Sequence, residues 1–217
     1  MNKSTTLLKA ENIAHSFEYP LFREVCLEIK GGESLAVLGV SGSGKSTLLH
    51  ILSSFLKPLS GRAEAFGRDI YALKPAELAK LRRETIGLIF QQHYLFRGFS
   101  ARENLQVAAL LRETQIDLTL LDSLGISHIL DQDSASLSGG QQQRLSIARV
   151  LTKKPKLLFA DEPTGNLDRK TASEAADILF DYARDNQCAF FIVTHDEALA
   201  KKADRRYRLE NGALIEQ

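Results

Sequence analysis

Cysteine is scarce: of 217 residues only Cys26 and Cys188 carry a thiol, and they match neither a CxxC pair nor a zinc spacing. A disulfide framework and a cysteine-rich metal site are excluded. Both thiols are expected to be small apolar core residues in a reducing, cytosolic setting. Net charge is nearly absent as well, with 28 Lys and Arg against 27 Asp and Glu leaving +1. No broad electrostatic field favours nucleic acid or anionic lipid as the main partner. Nowhere do about 18 uncharged apolar residues run together, and residues 1–11 hold two lysines and no apolar stretch of signal-peptide length. The chain is therefore expected not to span a membrane itself. It also lacks internal repeats, low-complexity tracts and any long Pro/Gly/Ser linker, so residues 1–217 are expected to form a single domain.

What the sequence does contain is a pattern of strands and helices. Residues 8–17 and 25–29 alternate loosely as strands, and Lys30-Gly31-Gly32-Glu33 is a turn leading into the apolar run 34–39. Leu48, Leu49, Ile51, Leu52, Phe55 and Leu56 then recur at helical spacing until Lys57-Pro58. Residues 76–84 have helical character and 86–90 strand character, and 100–152 lack strand patterning. The segment at about 92–152 is expected to be an inserted helical subdomain. Residues 157–160 and 189–193 are continuous apolar runs, as parallel strands covered on both faces require, with a helix at 172–183 between them. The tail 206–215 alternates around Asn211-Gly212, a type I′ hairpin signal. The expected fold class is α/β: a P-loop NTPase core with a parallel sheet, an antiparallel β edge and the helical insertion.

Gly39-Val40-Ser41-Gly42-Ser43-Gly44-Lys45-Ser46, followed by Thr47, matches G-x-x-x-x-G-K-[ST] between a strand and an amphipathic helix. Glycines let successive backbone N–H groups converge on phosphates, and the helix N-terminus adds partial positive charge. Lys45 is placed to reach the β and γ phosphates and Ser46 to ligate Mg²⁺. A second acidic element, Leu157-Leu158-Phe159-Ala160-Asp161-Glu162, ends an apolar strand in two carboxylates. Neighbouring strand residues point to opposite sides, so Asp161 can hold Mg²⁺ while Glu162 deprotonates the attacking water. His195 follows the strand 189–194 in the same way and is expected to sense the γ-phosphate.

Leu137-Ser138-Gly139-Gly140-Gln141, about twenty residues before the acidic strand, matches the LSGGQ signature. With it the whole chain resembles the ATP-binding cassette (ABC) ATPases. The resemblance implies that Gln91 is the Q-loop glutamine that touches Mg²⁺ and reports to a membrane partner, that Asn166-Leu167-Asp168 is the D-loop, and that His195 is the switch histidine. Asp168 is equally suited to cap the following helix. The family stacks an aromatic ring on adenine. Phe17 is nearest to that position, with Tyr19 and Phe22 as rivals.

Ser138 and the Gly139 and Gly140 amides head an amphipathic helix and form a second anion site. In the family, two subunits dock head to tail and each signature closes on the nucleotide of the other. The resemblance thus implies ATP and Mg²⁺ as cofactors, a homodimer, and integral membrane permease subunits docked near residues 91–100, where Tyr94, Phe96 and Phe99 lie. It places the protein peripherally on the cytoplasmic face of the inner membrane. Ala160-Asp161-Glu162-Pro163-Thr164-Gly165-Asn166-Leu167-Asp168 is similar to the ADEPTGNLD stretch of the LolD, MacB and FtsE ATPases, so a lipoprotein-release role of the LolD type is expected first. FtsE-like regulation of cell-wall remodelling and MacB-like efflux are the alternatives. A soluble ABC protein acting on ribosomes or DNA usually carries two cassettes or a long coiled-coil insertion, and neither is present.

Overall fold

The computed structural model describes residues 5–217. Strands β1 (Thr6–Ser16) and β2 (Pro20–Lys30) pair antiparallel, with Leu8 opposite Ile29 and Ile13 opposite Val25. Their inward residues are buried while the alternate positions face outward, which is the period-two pattern of a half-covered sheet. Cys26 falls on an outward position of β2. It is exposed, with its Sγ 3.2 Å from the Asn12 backbone N–H, so the expectation that both thiols lie in the core holds only for Cys188.

Strand β3 (Ser34–Leu38) is buried along its whole length and runs into helix α1 (Lys45–Leu52). The helix stops short of Lys57 because Ser54 adopts a left-handed conformation (φ 75°). Arg82 holds Ser54 there, donating from Nε to its hydroxyl at 2.9 Å. Phe55, which the periodicity places on the helix, therefore lies outside it and is half exposed beneath the Arg82 guanidinium.

β4 (Ser60–Ala65) adds to β1, and β5 (Arg68–Asp69) adds to β4, completing an antiparallel sheet of order β2-β1-β4-β5. After α2 (Pro75–Glu84) and β6 (Ile86–Ile89) come α3 (Ala101–Arg112), α4 (Leu118–Ser123) and α5 (Gly139–Thr152). The chain returns through β7 (Leu157–Asp161), α6 (Arg169–Asp185), β8 (Ala189–Thr194) and the short α7 (Glu197–Ala200). It closes with the hairpin β9 (Arg205–Glu210) and β10 (Ala213–Glu216), whose turn residues Asn211 and Gly212 both have positive φ, as a type I′ turn requires.

The second sheet has the order β10-β9-β3-β8-β7-β6 and is parallel except for β10. Its strands are apolar on both faces because both are covered. Leu35, Val37, Phe159 and Phe191 point to the side holding α1 and the antiparallel sheet. Ala36, Leu158, Phe190 and Ile192 point to the side holding α5 and α6. Phe159, Phe190 and Phe191 are fully buried; truncating any one to alanine removes about 3–5 kcal/mol. This rigid sandwich brings the carboxyl ends of β3, β7 and β8 to one edge, where α/β sheets bind ligands.

Candidate functional site

At that edge the chain leaves β3 through Gly39–Gly44 and enters α1. Gly42 and Gly44 adopt φ of 81° and 98°, a region nearly closed to residues with a Cβ. Gly44 caps α1 without any side-chain hydrogen bond, and the first turn contains no acid. By contrast Ser100, Ser138 and Asp168 cap α3, α5 and α6 with their own side chains. The first amides of α1 are thus left for an anion. Lys45 is buried against the loop, its Nζ donating to the carbonyls of Gly39 (2.8 Å) and Val40 (2.9 Å). Burial pushes its pKa down, opposed by the charges of Glu162 and Asp161. Within the loop, the Ser43 hydroxyl is a buried polar atom without a partner.

Asp161 ends β7 and is itself buried. Desolvation raises its pKa, and a hydrogen bond from Ser46 and the nearby His50 pull it back. Glu162 then turns out of the strand in a left-handed conformation (φ 47°). The division between the two carboxylates thus comes from a backbone turn, not from strand alternation. Parallel pairing sets Asp161 beside Val193 on β8, which carries Glu162 to Thr194 and His195. The Glu162 carboxylate accepts from the Thr194 hydroxyl at 2.9 Å and from the His195 backbone N–H at 2.9 Å, and lies 2.8 Å from His195 Nδ1.

Lys45, Asp161, Glu162 and His195 line a cleft of about 750 Å³ together with Phe17, Val40, Ser41, Gly42, Gly44, Ser46, Thr47 and Gln91, whereas Gly39 and Ser43 do not line it. Phe17 is 65% exposed in its wall. Tyr19 is exposed but does not line the cleft, and Phe22 is buried beneath Gly44, where a Cβ would meet its ring at 3.0 Å. Burial removes Phe22 from the set of possible adenine-facing rings. Gln91 is exposed and lines both this cleft and a neighbouring groove of about 620 Å³, whereas Gln92 lines only the groove, with His93, Tyr94 and Arg97.

None of Leu137, Ser138, Gly139, Gly140 or Gln141 lines the nucleotide cleft. Ser138 caps α5 in a reciprocal pair with Gln141, its backbone N–H donating to Gln141 Oε1 at 2.9 Å. Gly139 is open to space, and Gly140 backs onto Leu167, where a Cβ would lie 3.5 Å from the side chain. Asp168 caps α6 by accepting from the Lys170 and Thr171 amides, both at 3.1 Å. Thr171 and these amides hold its carboxyl below its ordinary value. One chain therefore carries a phosphate cradle and, outside that cleft, a second helix N-terminus, which is capped by Ser138 and has Gly139 exposed beside it. Sequence reasoning passed over two residues here. Thr194, the last residue of an apolar run, gave only the signal of its position beside His195, and Gln143 gave none.

The arrangement of glycine cradle, lysine, paired carboxylates and separate capped glycine turn agrees with comparison against known proteins: residues 22–165 match the ABC transporter family. The chain belongs to that family. As an ABC ATP-binding subunit it binds nucleotide and hydrolyses ATP. It is 43% identical over 197 residues to the lipoprotein-releasing system ATP-binding protein LolD of Shewanella sp. (strain MR-4), covering 88% of this chain and 85% of that one. The corresponding LolD of Xanthomonas axonopodis pv. citri (strain 306) is 37% identical over 225 residues, covering 99% and 92%. Among solved structures, the dimeric ABC transporter cassette MJ0796 superposes with a TM-score of 0.88 at 31% identity, over 96% of each chain. Its dimeric post-hydrolysis state bound to ADP and Pi gives 0.89 at 30% identity, over 97% and 98%.

Proposed function

We propose that this ABC subunit works as a LolD-like motor: two copies close on ATP, hydrolysis reopens them, and the cycle drives a separate membrane permease in lipoprotein release. The observation that carries the reading is the split site. The cradle of one chain lacks the signature, while Ser138, Gly139 and Gly140 present a helix N-terminus away from their own cleft. A second copy, docked head to tail, supplies what is missing. The similarity to LolD over most of the chain supports the lipoprotein assignment.

In this mechanism the α1 amides and Lys45 grip the β and γ phosphates, and Phe17 stacks on adenine. Ser46, Asp161 and the Gln91 amide form an all-oxygen donor set suited to Mg²⁺, which keeps most of its coordination for water and phosphate oxygens. Among the described residues no cluster of three or more His, Cys, Asp or Glu could hold a metal on its own, which fits a cation held chiefly by substrate. Bound Mg²⁺ supplies charge neutralisation across the phosphates. Glu162 takes a proton from the attacking water as its oxygen bonds to the γ-phosphorus, and the bond to the bridging oxygen breaks to release ADP. Lys45 and the partner copy's signature stabilise the charge that develops. His195 holds Glu162 in line, and Asp168 orders the segment after Pro163.

Residues 92–152 serve as the helical lobe that carries the signature. Tyr94, Phe96 and Phe99 are 60%, 47% and 41% exposed beside Gln91, the surface on which the permease docks. No helix of the described residues is long and apolar enough to cross a membrane, and the subunit is placed peripherally on the cytoplasmic face by that docking.

Glu162→Gln tests the reading. Turnover should fall by about 10² to 10⁴ while ATP stays bound in a stable dimer on gel filtration. Substantial residual turnover, or full-speed hydrolysis by a single copy, overturns it. Depletion in the cell should leave lipoproteins in the inner membrane; failed separation of daughter cells would point to the cell-wall role instead.

A further inference from the structure

Two residues before Phe17, His15 faces inward from β1. It pairs across the sheet with Phe22, and only 7% of it is exposed. Its Nδ1 is buried and has no hydrogen-bond partner among the described residues. A buried polar atom without a partner costs the fold, and an apolar side chain at this position would not carry that cost. Imidazole is a poor choice here if packing is its whole purpose.

What the imidazole does meet is Phe17. The two ring centroids are 5.0 Å apart and the planes stand at 80° to one another, the edge-to-face arrangement that aromatic pairs prefer. The two rings differ in freedom. Phe17 sits on the turn between β1 and β2, its backbone N–H donating to the Tyr19 carbonyl at 3.2 Å, and its ring belongs to the wall of the nucleotide cleft, largely open to solvent. His15 does not line that cleft. A buried ring anchored in a sheet therefore stands against an exposed one, and the contact limits the planes that the exposed ring can take.

We propose that His15 is a positioning residue for the base of the nucleotide: it holds the Phe17 ring in a set plane, so that ATP meets a stacking face that is already ordered. The proposal rests on the reading of Phe17 as the ring that stacks on adenine. An exposed side chain that must be ordered on binding costs affinity, and ordering it beforehand removes that cost. The effect belongs to the base alone, because the phosphates are held elsewhere, by the α1 amides and Lys45.

The test is equilibrium binding of ATP and of inorganic tripolyphosphate, which has no base, to the purified full chain without Mg²⁺. Steady-state hydrolysis and thermal midpoints are measured alongside. His15→Leu keeps the approximate volume and removes the ring. It should weaken ATP binding about 3- to 10-fold and leave tripolyphosphate binding unchanged. The KM for ATP should rise while kcat stays the same. His15→Phe restores an edge-to-face partner without the unpaired nitrogen and should recover the affinity of the parent. In a Phe17→Ala background His15→Leu should have no further effect. Unchanged ATP affinity in His15→Leu, an equal loss for tripolyphosphate, no recovery in His15→Phe, or the full loss on top of Phe17→Ala overturns the role. Should His15→Leu fail to fold, His15→Ala against His15→Phe decides, and equal affinities overturn it. Phe17→Ala separates the two readings: undiminished ATP affinity there removes the stacking assignment itself, whereas a weakened Phe17→Ala beside an indifferent His15→Leu removes only the part played by His15.

Discussion

Glu162 and His195, 33 positions apart, meet twice: the Glu162 carboxylate accepts the His195 backbone N–H and lies 2.8 Å from its ring Nδ1. The backbone contact survives any side-chain change, so His195→Ala isolates the ring. Removing one hydrogen bond to a charged group should lower kcat by about 10- to 100-fold, with the KM for ATP moved by less than about 2-fold. Michaelis analysis of the two proteins measures this, and a kcat equal to the parent's contradicts a role for the ring in orienting the carboxylate.

Phe17 presents a free face in the cleft wall, whereas Tyr19 stands outside it. Base stacking contributes about 1–3 kcal/mol, so Phe17→Ala should weaken ATP binding by about 5- to 100-fold while Phe17→Tyr retains it. Tyr19→Ala should leave the affinity unchanged. Titration with a fluorescent ATP analogue reports all three; loss on Tyr19→Ala alone reverses the assignment.

Asp161 carries a pH signature. Its ordinary value is 3.8 and burial raises it in the folded chain, so the nucleotide-free protein holds that proton more tightly than the unfolded chain does. The contribution is fully present below the ordinary range and lost as pH rises through the raised folded value. At neutral pH the buried carboxylate is therefore a net burden on the nucleotide-free fold. Asp161→Asn should raise the thermal midpoint at pH 7, by about 2–4 °C for each 1 kcal/mol relieved, and the gain should shrink toward pH 4. A lower midpoint for Asp161→Asn at pH 7 contradicts this, and differential scanning fluorimetry decides.

The two thiols should differ sharply in reactivity. Cys26 is exposed on β2, while burial pushes the Cys188 thiol up to about 12, and the thiolate is the reactive form. A thiol-specific reagent at pH 8 should modify one equivalent in the native protein, lost in Cys26→Ser, and two after denaturation. Native labelling of Cys188 would mean that β8 opens on the timescale of the reaction.

At Gly87 the backbone of β6 passes so close to α5 that an added Cβ would lie 2.7 Å from Val150 Cγ1 and 2.8 Å from Pro155 Cγ. Gly87→Ala should destabilise the fold by about 1–3 kcal/mol through overpacking. Urea unfolding measures it, with an unchanged midpoint as the contrary result.

Much of this was legible in one dimension. Local chemistry determined the cradle, because glycine spacing, lysine and hydroxyl must be contiguous to wrap a phosphate. The uninterrupted apolar runs of β7 and β8 announced strands covered on both faces, and Asn211-Gly212 announced its hairpin. β4 was invisible because its buried positions are only Ala63 and Ala65, whose small side chains give little hydrophobic contrast. Whether Phe17, Tyr19 or Phe22 faces the cleft was not readable, since three rings within six residues differ only in what packs on them. Cys26 misled for the same reason: its face on β2 depends on register with β1, and one residue of shift reverses inside and outside. Sequence alone determined what binds. The fold decided how the parts meet, since parallel register joins Glu162 to His195, the signature residues that head α5 stay out of their own chain's cleft, and Gln143 meets the Pro163 carbonyl only through packing.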